Sequence, residues 1–353
     1  MAVTIKDIAR AVGVSTSTVS RALAGSDLLP RGTRRRIEEA ADELGYHPNR
    51  VARALSTGRT GNVGLLVPDL LNPYFAAVVK GVQARARESG HWVFLADTDE
   101  DPGVEADRVR ALVKQVDGVV LCAPRTSDSR LRALARETPM VMLNRRVAGI
   151  PSVTTANGEG IRQAVAHLVA LGHERLAYVA GPRSSWSNRD RLRLLRTAVA
   201  AAGVDLVETA NVEPRFAGGI AAADRVLEAG VTAVVAYNDL VALGLLDALG
   251  ARGVAVPGRI SIVGFDDILP AQLVSPALTT VGQPSEEAGR AGMDLLLRLM
   301  ADPRLLPVPA LEPVARLVVR GSTGPAPGLR LALLRAESHT RVSSRCESDS
   351  PDV

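Results

Sequence analysis

From Gly61 onward, short apolar runs alternate with stretches of helical spacing, and the alternation occurs twice. Residues 62–67, 91–96, 118–122 and 140–143 make the first series, with 75–89 and 101–115 between them as helices. Residues 176–180, 205–207, 233–236 and 260–263 make the second. A strand that is apolar on both faces has to be covered on both, and crossover helices bring that cover to parallel strands. The pattern predicts two similar α/β halves, each on a parallel sheet, with a cleft between them. Ligands of open parallel sheets sit beyond the carboxyl ends of the strands. Those ends are polar here: Asp69 with Asn72, Pro73, Tyr74 and Phe75; Asn144 with Arg145; residues 185–191; Asn238 with Asp239; Asp266 with Asp267. Taken singly, each is a helix cap or turn residue. Together they mark a binding cleft.

At 353 residues the chain predicts two or three packed units. Its 46% hydrophobic and 23% charged residues exclude disorder throughout. No run approaches the roughly 18 apolar residues of a membrane span. Lys6, Asp7 and Arg10 stand where a signal peptide would be apolar, so a cytoplasmic protein is expected. Cys122 and Cys346 give neither a disulfide framework nor a paired-cysteine metal site. His47, His91, His167, His173 and His339 show no metal-ligand spacing and read as surface or turn residues. An enzyme is the rival class, with Asp266 and Asp267 as an acid/base pair, but no phosphate loop, Gly-x-Ser-x-Gly elbow or His-Glu-x-x-His accompanies them.

The net charge of +4 lies entirely in the first 59 residues. Ten basic residues (Lys6, Arg10, Arg21, Arg31, Arg34, Arg35, Arg36, Arg50, Arg53, Arg59) face six acidic ones (Asp7, Asp27, Glu38, Glu39, Asp42, Glu43). The remaining 32 basic and 32 acidic residues cancel. A basic patch draws phosphate backbones, although charge alone equally fits a solvated face. Ile5, Ile8, Ala9 and Val12 have helical spacing, with Thr4 and Asp7 as a capping box. Gly13-Val14-Ser15 breaks that helix, and Ser15 caps a second over 16–23, which buries Val19 and Leu23 and exposes Thr16, Ser17, Ser20 and Arg21. Two short helices joined by a tight turn form a helix-turn-helix, whose second helix reads base edges in the major groove. A third helix follows a break at Pro30-Arg31-Gly32: Thr33 caps it, Ile37, Ala40, Ala41 and Leu44 are its buried stripe, Gly45 ends it, and Arg34, Arg35 and Arg36 face out. After Pro48, Asn49 caps a two-turn helix too short to be stable alone.

Thr4-Ile5-Lys6-Asp7-Ile8-Ala9, Gly13-Val14-Ser15, Thr18-Val19-Ser20-Arg21, Leu44-Gly45-Tyr46-His47-Pro48-Asn49 and Ala52-Arg53-Ala54-Leu55 occur in that order. The series resembles the headpiece of the lactose-repressor (LacI/GalR) family of bacterial transcription regulators. The body resembles the family's effector domain through Asn72-Pro73-Tyr74-Phe75, Leu171-Gly172-His173, Gly181-Pro182, Tyr237-Asn238-Asp239, Val256-Pro257, Val263-Gly264-Phe265-Asp266-Asp267 and Leu278-Thr279-Thr280-Val281. The similarity spans about residues 3–323. It implies a helix-turn-helix headpiece over 1–46 and a hinge helix with linker over 47–60. An effector-binding and dimerisation domain of the periplasmic-binding-protein type (type I) follows over 61–323. Its two α/β subdomains are interwoven, because the chain after about Gln283 returns to the first half before crossing back. Composition makes 324–353 a linker and disordered tail.

By the same resemblance, DNA is contacted by Thr4, Ser15, Thr16, Ser17, Thr18, Ser20, Arg21, Tyr46, Asn49, Ala52 and Leu55. Thr16 and Ser17 set operator preference, Arg21 meets a base or phosphate, and Leu55 wedges into the minor groove from each of two subunits. Tyr74, Phe75, Asn144, Ser187, Arg191, Asn238 and Asp266 contact the effector, a sugar or nucleoside-like compound. Departures weigh against a simple hexose: Leu194-Leu195 replace the usual Gly and aromatic residue. Pro214 stands at a stacking aromatic position with Phe216 close by, Ala156 replaces an acidic residue, and Asn144 replaces an aspartate. The expectation is a cytoplasmic, ligand-responsive regulator, in the main reading a repressor, that is not an enzyme. It binds a pseudo-palindromic double-stranded operator as a homodimer, without cofactor, metal or membrane. A tetramer built through Leu329, Leu331, Leu333 and Leu334 is the lesser alternative.

Overall fold

The computed structural model describes residues 3–23, 29–46, 58–209, 211–302, 304 and 312–329. It divides into two compact units, Met1–Gly61 and Asn62–Val353.

In the first unit, α1 (Ile5–Val12), α2 (Thr16–Leu23) and α3 (Arg31–Glu43) close on a small core in which Ile8, Val19 and Ile37 are fully buried. The Asp7 carboxylate starts α1 by accepting the Thr4 backbone N–H at 3.0 Å and the Thr4 hydroxyl at 2.7 Å. Gly13 ends it at φ +73°, a conformation that costs a residue with a Cβ about 1 kcal/mol or more. Ser15 Oγ then caps α2 by accepting the Thr18 N–H at 3.2 Å. Three details differ from expectation. Pro30-Arg31-Gly32 opens α3 instead of preceding it: Pro30 is the N-cap, where its missing N–H deprives no helical carbonyl. Leu44, one residue past that helix, is exposed, whereas Ala22 joins the core and Leu23 is only half-buried. Arg36 does not simply face out, because its guanidinium donates to the Val12 carbonyl at 3.0 Å and ties α3 to the end of α1. The expected hinge contacts Asn49, Ala52 and Leu55 lie outside the described residues.

The second unit holds two sheets. Strands β1 (Asn62–Val67), β2 (Trp92–Asp97), β3 (Gly118–Cys122), β4 (Met140–Leu143) and β5 (Ser152–Val153) form a parallel sheet in the order β2-β1-β3-β4-β5. Strands β6 (Arg175–Val179), β7 (Asp205–Glu208), β8 (Ala233–Ala236), β9 (Ser261–Asp266), β10 (Thr279–Gly282) and β11 (Arg316–Val318) form the other, in the order β11-β10-β9-β8-β6-β7 with only β11 antiparallel. The helices are α4 (Pro73–Glu88), α5 (Pro102–Val113), α6 (Asp128–Leu134), α7 (Gly158–Ala170), α8 (Trp186–Ala202), α9 (Phe216–Glu228), α10 (Asp239–Ala251), α11 (Leu269–Leu273) and α12 (Ser285–Ala301). Helix α12 returns to the first half and packs on α4, β3 and β4 before β11 rejoins the second sheet, so the halves are interwoven.

Helices α4 and α12 meet backbone to backbone, since a Cβ on Gly81 would lie 2.0 Å from the Glu286 carbonyl oxygen and one on Gly289 would lie 2.3 Å from that of Val78. Strand β2 departs from the two-sided cover that its apolar sequence predicts: it is a sheet edge, and Trp92 is 59% exposed, with Phe94 and Leu95 also exposed. His173 is no surface residue. Only 2% exposed, it joins Thr232 Oγ1 at 2.8 Å to Ser261 Oγ and the Gly324 carbonyl, each at 3.1 Å. Residue 326 belongs to the fold and not to the tail expected from 324, because Ala326 is buried and donates its N–H to the Leu171 carbonyl at 2.8 Å. Among the described residues no helix is long and apolar enough to cross a membrane, and no cluster of His, Cys, Asp and Glu could hold a metal ion.

Candidate functional site

Two sets of side chains stand out, one in each unit. In the first, Thr16, Ser17, Ser20 and Arg21 leave the exposed face of α2, while Val19 and Ala22 anchor the opposite face. Ser15 and Thr18 are partly committed to the helix start, with their hydroxyls 2.8 Å apart and a second 2.8 Å contact from Ser15 to Ser17. Thr4 is exposed but bound to Asp7, and Tyr46 is half-buried against the three-helix core. Short hydroxyl side chains beside one arginine can read base edges and phosphates.

In the second unit, Tyr74, Phe75, Asn144, Ser187, Arg191, Asn238 and Asp266 all line one narrow cavity, closed down to about 20 Å³, at the carboxyl ends of the two sheets. Asn72 caps α4 by accepting the Tyr74 N–H at 3.0 Å, which sets Tyr74 and Phe75 in the first turn, edge to face with ring centroids 5.2 Å apart. Directly after β4, Asn144 adopts φ +54° and donates its amide to the Tyr74 hydroxyl. Ala123 after β3 (φ +44°) and Asp266 at the end of β9 (φ +118°) are similarly strained. Non-glycine residues are held this way where the surrounding fold over-determines them, commonly at binding sites.

Arg191 reaches the cavity from α8. Its guanidinium carbon lies 3.7 Å over the Phe265 ring, and it donates to the Tyr237 carbonyl and, at 3.2 Å, to Asp266 Oδ1. Gln283 donates to the same carboxylate oxygen at 2.7 Å. Burial pushes the Asp266 carboxyl up to about 6, with Arg191 and Gln283 pulling it back. Arg191 Nε is buried without a partner among the described residues. Asn238 is largely committed to structure: it caps α10 through the Val241 N–H and donates to the Pro214 carbonyl, both at 2.9 Å.

Among the described residues, polar links cross from one half to the other. The Ser187 hydroxyl donates to the Asn144 carbonyl at 3.2 Å. Arg215 donates to Asp69 Oδ2 at 3.0 Å and also to Asp99. Glu100, Ala123 and Tyr237 complete the lining and were missed as site residues in the sequence. The strand-end rule would have found them, since Ala123 and Tyr237 directly follow β3 and β8, and Glu100 lies in the loop after β2. Phe216 does not fill in for the absent aromatic: Pro214 lines the cavity, whereas Phe216 lies 42% exposed on an apolar surface with Leu240, Leu243 and Val254.

Residues 4–49 match the family described as bacterial regulatory proteins, lacI family, and residues 165–323 match the periplasmic binding protein-like domain. The chain is 32% identical to the HTH-type transcriptional regulator DegA of Bacillus subtilis (92% of this chain, 99% of that one). It is 36% identical to the HTH-type transcriptional regulator GalR of Escherichia coli (86% of this chain, 91% of that one). Among solved structures, the lac repressor dimer bound to operator and the anti-inducer ONPF aligns with a TM-score of 0.81 at 29% identity, covering 92% of this chain and all of that one.

Proposed function

The chain belongs to the LacI family of DNA-binding transcriptional regulators, and from that premise we propose that it is a homodimeric repressor relieved or engaged by a small neutral polyhydroxy effector. The observation that carries the reading is the cavity between the two sheets. It is crossed by contacts from both halves, so an occupant that interposes itself there changes how the halves close. Its charges are matched within the protein: Arg191 with Asp266, Arg215 with Asp69, and Arg125 with Glu100. A ligand carrying net charge would break one of these pairs, whereas hydroxyls of a sugar or nucleoside-like compound exchange hydrogen bonds with them. Tyr74 and Phe75 offer an apolar wall to the ring.

Dimerisation is favoured by two exposed apolar surfaces in the second unit. Trp92, Phe94 and Leu95 lie on the β2 edge, and exposed Phe216 with half-buried Leu240 and Val254 lines a second patch. The division proposed is headpiece 1–46, hinge 47–60, an effector and dimerisation domain from 61 that runs past 323 to include Ala326, and a tail after it. In this reading Thr16, Ser17 and Arg21 address one half of a pseudo-palindromic operator, and Leu55 from each subunit wedges the minor groove between the halves. Leu55→Gly is expected to weaken operator binding at least tenfold in a mobility-shift titration while leaving dimerisation and effector affinity intact. Unchanged operator affinity would remove the hinge from the account.

A further inference from the structure

A second cavity, of about 540 Å³, shares no lining residue with the one described. It is bounded by Arg146 after β4, by Thr155 and Asn157 on the segment leading into α7, and by Trp186, Arg189 and Arg193 on α8. Asn157 is the N-cap residue of the 13-residue helix α7, yet its side chain makes no capping hydrogen bond. Asn157 and Thr155 are each only 6% exposed, and the Oδ1 of one and the Oγ1 of the other are buried without a hydrogen-bond partner among the described residues. A buried polar atom left unpaired is costly, and both residues border this cavity. Gly158 opens α7 with no side chain over its amides, and those amides attract anions. Two carboxylates, Asp190 (on Arg193 at 2.7 Å) and Glu312 (on Arg146), leave one positive charge in excess, that of Arg189, which donates through one nitrogen to the Arg183 and Ser184 carbonyls.

We propose that this cavity is a second ligand site, distinct from the effector cavity, that takes a phosphate monoester bearing hydroxyl groups. The arginines and the α7 N-terminus receive the phosphate. The orphan Asn157 Oδ1 accepts from, and the Thr155 hydroxyl bonds with, the ligand's hydroxyl groups, and Trp186 covers its ring. Sugar phosphates and nucleoside monophosphates share this chemistry, and Trp186 separates them, because a stacked base quenches its emission and a sugar ring does not.

The test is calorimetric titration of the full-length protein with inorganic phosphate, glucose 6-phosphate, adenosine 5′-monophosphate, glucose and adenosine, with tryptophan emission recorded in parallel. At least one ester is expected to bind ten times or more tightly than its unphosphorylated parent. The double variant Arg189→Gln/Arg193→Gln should lose that affinity at least tenfold, and Thr155→Val should weaken the ester without altering inorganic phosphate binding. Asp266→Asn, which alters the other cavity, should leave ester binding unchanged. Esters that bind no better than their parents, indifference to the arginine pair, or loss of binding in Asp266→Asn alone would each overturn the proposal.

Discussion

Among the described residues, no cation answers the carboxyl group of Asp239. Wholly buried at the start of α10, it accepts the Thr280 hydroxyl at 2.6 Å and the Ile268 N–H at 2.9 Å, and burial beside the Asp266 charge pushes it up to about 8. A carboxyl raised by folding stabilises the protein below its unfolded value of 3.8, and that contribution is lost as pH rises toward 8. Wild-type stability should therefore fall between pH 6 and 8, where few other carboxyl groups titrate, with a slope of up to about 1.4 kcal/mol per pH unit. Asp239→Asn keeps the shape and removes the proton. Denaturant titrations at pH 6, 7 and 8 should show that slope only in the wild type, and an equal slope in both would assign it to another group. Asp266 illustrates what a sequence conveys and what it hides. Its place at a strand end and its likeness to a family contact were legible, but its partners Gln283, 17 residues on, and Arg191, 75 residues back, are brought to it only by the folded sheet. Glu100 and Tyr237 escaped notice for a similar reason: one lies beyond the strand end in a loop, and the other reads as the last residue of an apolar run.

At the scale of elements, the apolar strands are legible nearly to the residue except β9, which runs three residues past the expected 263, whereas β5, β10 and β11 are not legible. Strands β5 and β11 have two and three residues, and β10 is Thr-Thr-Val-Gly, so none shows a period or an apolar run; each exists because a neighbouring strand offers its edge. Helix contacts were equally hidden. Glycine in mid-helix ordinarily weakens a helix by about 1 kcal/mol, which makes Gly244 in α10 look like a defect. It is a contact instead: a Cβ there would lie 1.9 Å from the Phe216 carbonyl oxygen, and one on Gly219 of α9 would lie 2.1 Å from that of Val241. Gly244→Ala should cost about 3 kcal/mol or more by forcing α9 and α10 apart. Gly250→Ala on the same helix, with nothing within 4 Å, should be neutral or stabilising by up to about 1 kcal/mol. Thermal melts of the two variants check this, and similar losses in both would mean that backbone entropy, not contact, decides.

Across the whole molecule, the chain joins a small basic module to a charge-balanced body, and the account requires that the first read DNA while the second senses a ligand. The order of motifs makes this division legible in the sequence, because the basic excess ends where the strand pattern begins. In the proposed function, activity at this scale depends on two copies. Arg21→Ala should weaken operator binding by about 1–3 kcal/mol per half-site, measured by mobility shift, with no change in dimer mass by sedimentation. The most direct test of the central claim is to sequence the genomic DNA fragments that purified protein retains, across a salt series and with or without added sugars and nucleosides. The account predicts enrichment of a two-fold symmetric sequence, retention that falls steeply with salt, and a change in retention on adding at least one compound. Retention without a symmetric sequence, or a symmetric sequence insensitive to every added compound, would contradict it.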